Sequence, residues 1–237
     1  KREAASRLLN YYGLNSEFDL PDIYRALDRF DLVFYDLQRF ISERVGDGFG
    51  RDLRYSFYDV TNYYTEKDFA DPNEKYLYRS GNLVNGPALG QKGVSKEHRL
   101  TPIVQMGLFM DGNGVPVCMD VFRGNMSDSD TLKENLDGFK KEYGIERTVV
   151  VADKGMNCSH NIDLLCSQGD GYVFSQILKG TKGKRYREAL FAPEGWQEAA
   201  DGAYRWKLIT EEYQGHDISF EIQDGQKVEK RKAVKRM

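Results

Sequence analysis

Thr148 to Ala152 is an unbroken apolar run, TVVVA, that stops abruptly on Asp153-Lys154-Gly155. It is short and rich in β-branched residues, so it reads as a strand buried on both faces. Such a strand needs helices above and below it, and its neighbours in the chain supply candidates. Before it, Leu132, Leu136, Phe139 and Tyr143 share one helical face, and Gly144 follows as the expected C-terminal stop. After it, Ser159 caps a short helix with Ile162, Leu165 and Cys166 inward, closed by Gly169, and Tyr172 to Leu178 is the next strand. Further upstream, Tyr55 to Tyr64 is an aromatic and β-branched strand with Asp59 at its middle. Ile103 to Met110 and Val115 to Phe122 flank Asp111-Gly112-Asn113-Gly114 and form a hairpin. The order is strand, hairpin, helix, strand, helix, strand. That order predicts an α/β fold with a mixed sheet and helices on its faces.

The ends of the chain have a different character. Asp19-Leu20-Pro21-Asp22 is a helix start, and Ile23, Leu27, Phe30, Phe34, Leu37 and Ile41 then mark one face of a single helix to about Arg44. Its expected role is to cover a core, with Gly46, Gly48 and Gly50 ending it. Residues 65 to 100 lack periodicity and predict a long loop or a small irregular insertion. Beyond residue 180, Tyr204 to Tyr213 and Asp217 to Gln223 read as two strands around Gln214-Gly215, in a β-rich insertion. The expected domains are a helical segment over 1–50, a core over 51–179 and the insertion over 180–237. Lys1 at the start and Lys-Arg-Met at the end give the expectation of a piece cut from a longer protein.

Composition narrows the function classes. With 40% hydrophobic and 30% charged residues among 237, a packed core is expected and disorder is not. A net charge of -3 weighs mildly against a dedicated nucleic-acid binder. Basic residues nevertheless cluster: five without an acid over Lys179–Arg187, and six with only Glu229 over Lys227–Arg236. Such runs are most simply solvated faces. Three cysteines without CxxC spacing and three scattered histidines indicate neither a disulfide framework nor a zinc site, and fit a reducing, cytoplasmic compartment. No apolar run reaches the roughly 20 residues that span a bilayer, so no membrane partner is expected.

Two acids stand out by position. Asp153 ends the central strand, where open α/β sheets usually carry their sites, and Asp59 lies inside the first strand. If the two strands are neighbours the carboxylates can converge. Carboxylates without His or Cys favour hard cations such as Mg2+ or Mn2+. Two such ions about 4 Å apart can activate a water or hydroxyl and stabilise the leaving oxygen of a phosphodiester. The alternative is ordinary: an Asp at a strand end caps a loop, and an Asp within a strand faces solvent.

The motifs in their order resemble those of DDE-type bacterial insertion-sequence transposases. Tyr58-Asp-Val-Thr-Asn-Tyr-Tyr-Thr-Glu66 resembles the first-aspartate strand, Gly93-Val-Ser-Lys-Glu-His-Arg99 the basic loop after it, and Pro102 to Pro116 the hairpin. Phe122-Arg-Gly-Asn-Met-Ser-Asp128, Val149-Val-Val-Ala-Asp-Lys-Gly-Met156 and Gly171 to Lys179 are similar to the segments that follow. The resemblance implies a ribonuclease-H-like core interrupted by a β-rich insertion. It also implies strand cleavage and transfer at transposon ends, with Asp59 and Asp153 as two of three metal-binding catalytic carboxylates for Mg2+ or Mn2+. Double-stranded DNA is the implied partner, a homodimer the implied working form and the bacterial nucleoid the implied location. Lys96, His98 and Arg99 are then expected on DNA phosphate, with Lys154 either beside the metal site or solvated, and Asn125 and Asp128 capping a helix. The family's third acid sits in a tyrosine–arginine–glutamate–lysine signature that this sequence does not show; Glu211, Glu212 and Glu221 are not in such a context. The chain by itself is therefore expected to bind metal poorly and to catalyse little. Two other readings stay open: a ribonuclease-H-like nuclease without strand transfer, and an inactive remnant that binds DNA or self-associates.

Overall fold

The computed structural model describes residues 19–66, 68–77, 83–87, 89–94, 100–181, 183–210, 212–223 and 226–236. They fall in two compact units, residues 1–50 and 51–237.

The first unit begins as its sequence predicts and then departs from it. Helix α1 (Leu20–Leu32) opens with a reciprocal capping box: Asp22 N donates to Asp19 Oδ1 at 3.1 Å and Asp19 N to Asp22 Oδ2 at 2.9 Å, with Pro21 in the first turn. The single helix expected to Arg44 is instead two. The chain leaves helical dihedrals at Val33 (φ −116°, ψ 19°), and α2 (Phe34–Phe49) starts afresh. Gly46 and Gly48 do not stop α2, because a helical glycine costs only about 1 kcal/mol; it ends where Gly50 takes φ +76°. Leu27, Phe30 and Ile41 on the expected buried face stay exposed.

In the second unit, β1 (Tyr55–Tyr64), β4 (Ile103–Met110), β5 (Pro116–Arg123), β6 (Val149–Ala152) and β7 (Gly171–Phe174) form one sheet in the order β5-β4-β1-β6-β7. β5, β4 and β1 pair antiparallel; β1, β6 and β7 pair parallel. This is the mixed, ribonuclease-H-like arrangement with flanking helices. Helices α3 (Asp128–Glu142) and α4 (Ser159–Ser167) cover one face, where Tyr58, Val60, Phe109, Val150, Leu132, Leu136, Phe139, Leu164 and Leu165 share a core. Strand β1 alternates accordingly, with Ser56, Tyr58 and Val60 buried and Phe57, Asp59 and Thr61 exposed. Strand β6 is not buried on both faces as its apolar run predicts: Val150 is fully buried, Val151 only half, and its β7 partner Val173 is 57% exposed. The apolar run is explained by one buried face and by tight parallel pairing with both neighbours, which β-branched residues favour.

Four further segments differ from expectation. Residues 65–100 contain a hairpin, β2 (Asn73–Leu77) with β3 (Leu83–Pro87). β7 ends at Phe174 rather than Leu178. Beyond it come helix α5 (Lys184–Phe191) and the short pair β8 (Gln197–Glu198) with β9 (Arg205–Trp206). The C-terminal hairpin is β10 (Tyr213–Gln223) with β11 (Gln226–Arg236), so Gln214-Gly215 lies within a strand and not at its turn. The basic run Lys227–Arg236 is thus strand β11, and Ile218 of β10 joins the core over α4.

Candidate active site at the ends of the parallel strands

Tyr58 and Ala152 are the last register partners of β1 and β6. Asp59 and Asp153 are the residues that follow these partners in the chain, Asp59 still within β1 and Asp153 just past the end of β6. Both side chains are exposed. Asp59 lies on the face opposite the buried Tyr58 and Val60, beside its β4 partner Leu108. Asp153 has left the strand; its Oδ1 accepts from Gly155 N at 2.7 Å and closes the turn Asp153–Asn157. Two asparagines pin that turn. Asn157 Nδ2 donates to Ser175 O at 3.0 Å beyond β7, and the buried Asn161 Nδ2 donates to Met156 O at 3.0 Å.

Another carboxylate, that of Asp128, lies on the α3 side of the Asp153 turn. Asp128, the first residue of α3, is not a helix cap: Ser127 is, accepting from Asp130 N, and Asn125 is exposed outside the helix. A β-carbon on Gly155 would lie 3.0 Å from Asp153 Oδ1 and 3.5 Å from Asp128 Oδ2. A side chain at position 155 would therefore crowd Asp153 and meet Asp128. From the sheet, the buried Gln105 of β4 donates Nε2 to Asp128 Oδ1 at 3.4 Å. Sequence reasoning missed Gln105, Asp128 and Gly155 as one group. The legible signal was a glutamine at an inward position of β4, between Ile103 and Gly107.

Below these carboxylates, Tyr58 donates its hydroxyl to Thr131 Oγ1 at 2.9 Å. Burial, reinforced by the negative charge of Asp120 and Asp128, pushes that hydroxyl well above the usual tyrosine range and keeps it neutral. Lys154 is exposed in the turn. Lys96, His98 and Arg99 lie outside the described residues. Glu212 and Glu221 sit at the C-terminal hairpin, facing Lys235 and Lys230.

Asp59 and Asp153 offer oxygen ligands of the kind that hard divalent ions take. Among the described residues, however, no three His, Cys, Asp or Glu side chains gather as a metal site. The two aspartates alone do not make up a three-carboxylate, two-metal centre.

No family model matches the chain, and no curated protein matches it in sequence. Among solved structures, it is similar to the Mos1 transposase paired-end complex with left transposon end: 12% identity over 81% of this chain and 63% of that one, TM-score 0.32. A pre-cleavage Mos1 transpososome is 13% identical over 72% of this chain and 50% of that one, TM-score 0.31. The Mos1 mariner paired end complex with Mn is 11% identical over 82% of this chain, TM-score 0.31. The chain thus spans 63% of the length of the first of these.

Proposed function

We propose that this chain is part of a DDE-type transposase of the bacterial insertion-sequence class, which cuts and joins DNA phosphodiesters at transposon ends. The supporting observation is the parallel pairing of β1 and β6, in which Tyr58 and Ala152, the residues just before Asp59 and Asp153, are register partners, within the ordered motifs that resemble that family. In this proposal Asp59 and Asp153 are two of the catalytic, metal-binding carboxylates, and Mg2+ or Mn2+ supplies the charge that stabilises the phosphodiester oxygens when bound. The partner is double-stranded DNA, transposon end and target, engaged by a homodimer. Lys96, His98 and Arg99 contact phosphate, and Lys154 stands beside the carboxylates.

The deciding experiment uses the complete protein with a DNA duplex carrying its own transposon end. Asp59→Asn and Asp153→Asn should each lower metal-dependent strand cleavage by at least about a hundredfold, on the scale expected when an essential transition-state interaction is removed. Wild-type cleavage in either variant rejects the assignment. Cleaved ends that never join target DNA would identify a nuclease instead. Replacing Lys96, His98 and Arg99 together with Ala should weaken DNA binding and flatten its dependence on salt, because fewer counterions are released; unchanged binding removes those residues from the interface.

A further inference from the structure

We propose that Asn157 is a positioning residue for Asp153, closing the turn that presents its carboxylate; this rests on Asp153 being a catalytic carboxylate, as above. The backbone of Ser175, one residue beyond β7, holds both flanks of that turn. Ser175 N donates to Ala152 O at 3.4 Å, on the residue before Asp153. Ser175 O accepts from Asn157 Nδ2 at 3.0 Å, on the far side of the turn. A backbone carbonyl can only accept, which fixes the orientation of the Asn157 amide. The same Nδ2 also reaches Gln176 Oε1 at 3.0 Å. Inside the turn, Gly155 N donates to Asp153 Oδ1 at 2.7 Å and Met156 N to Asp153 O at 3.2 Å. The carboxylate is thus seated in a turn that Asn157 ties to the end of the neighbouring parallel strand.

Asn161 holds the same turn from α4, but it is fully buried and donates to Met156 O. Its loss would leave a buried carbonyl unpaired and damage the fold. Asn157 is half-buried, and its partners Ser175 and Gln176 are exposed. Water replaces such bonds when they are lost, so little stability depends on them. Catalysis is less tolerant, because a displacement of about 1 Å in a reacting group costs on the order of a hundredfold in rate. Position 157 should therefore matter far more to the reaction than to the fold.

The test compares Asn157→Ala with the wild type in the complete protein. Without DNA or metal, hydrogen exchange of the Met156 amide should accelerate at least about tenfold, while that of the fully buried Val150 in β6 stays within about twofold. With a duplex carrying its own transposon end, and DNA and Mn2+ at saturation, strand cleavage should fall by about tenfold to a hundredfold. DNA affinity and the melting temperature should stay near wild type. If Asn157→Ala does not fold, Asn157→Ser decides in its place, because its side chain stops an atom short of the amide nitrogen. Wild-type exchange of Met156 overturns the proposal, as does a loss of cleavage fully accounted for by weaker DNA binding. Wild-type cleavage by Asn157→Ala where Asp153→Asn is inactive also overturns it and leaves the transposase assignment standing. If Asp153→Asn itself cleaves as wild type, that assignment falls, while faster Met156 exchange in Asn157→Ala still supports the clamp on the turn.

Discussion

Phe109 and Phe139 stack with ring centroids 4.0 Å apart and planes within 3°, both without solvent exposure. This contact joins β4 to α3 directly beneath Tyr58, whose ring is 4.6 Å from Phe109. Gly107 makes room for it, since a β-carbon there would lie 2.9 Å from Tyr58 Cζ. Phe139→Ala should therefore cost about 3–5 kcal/mol through lost transfer energy and an unfilled cavity, read as a lower urea midpoint with unchanged slope. A loss below 1 kcal/mol would mean that the stack is not central. Much of this was legible: Leu132, Leu136 and Phe139 show helical spacing, and all three are fully buried. The partner of each was not, because spacing along one element says nothing about which residue of another element it meets.

At the scale of elements, the C-terminal hairpin is fastened to the helices by charge as well as by Ile218. On α4, Asp163 faces His216 Nδ1 at 3.3 Å and Arg236 Nε at 3.4 Å, and Ser167 Oγ accepts from Ile218 N at 2.7 Å. On β11, Glu229 lies 2.6 Å from Lys133 of α3 and 2.6 Å from Arg231, with His160 Nε2 at 3.7 Å. Burial raises the Glu229 carboxyl, but hydrogen bonds from Lys133 and Arg231 outweigh it and hold it below the usual carboxylate range. Burial is also the main cause that depresses His160, ahead of the opposing pull of Glu229. Both groups have folded values below their unfolded ones, so each contributes stability that is full above the unfolded value and is lost as pH falls through the folded one. The His160 contribution should fade below its ordinary 6.5, and the Glu229 contribution below its ordinary 4.5. Amide hydrogen exchange in residues 213–236 should accelerate in two stages on acidification, after correction for intrinsic rates. Protection that is flat from pH 7 to pH 3 would show that these groups do not hold the hairpin.

At the scale of the whole molecule, the described residues of 51–237 include a five-stranded sheet with α3 and α4 packed on one face around an apolar core. A core of that kind should fold without residues 1–50. Expressed alone, residues 51–237 are expected to unfold in one cooperative transition with dispersed amide resonances. A chain that stays collapsed and non-cooperative would show that the helical unit is required. Among the described residues no helix is long and apolar enough to cross a membrane.

The sequence by itself determined the elements whose signals are local. The capping box at Asp19 and Asp22, the alternation of β1, the helical spacing in α3 and the apolar run before Asp153 all depend on residues within one or two turns of each other. It also singled out Asp59 and Asp153, through position in a strand and through family resemblance. Tertiary structure decided what pairing and packing set: the register of the β10–β11 hairpin and the open side of β6. It alone brought Gln105, Asp128 and Gly155 to Asp153. Those residues come from a strand, a helix start and a turn, and only the packing of α3 against the sheet joins them.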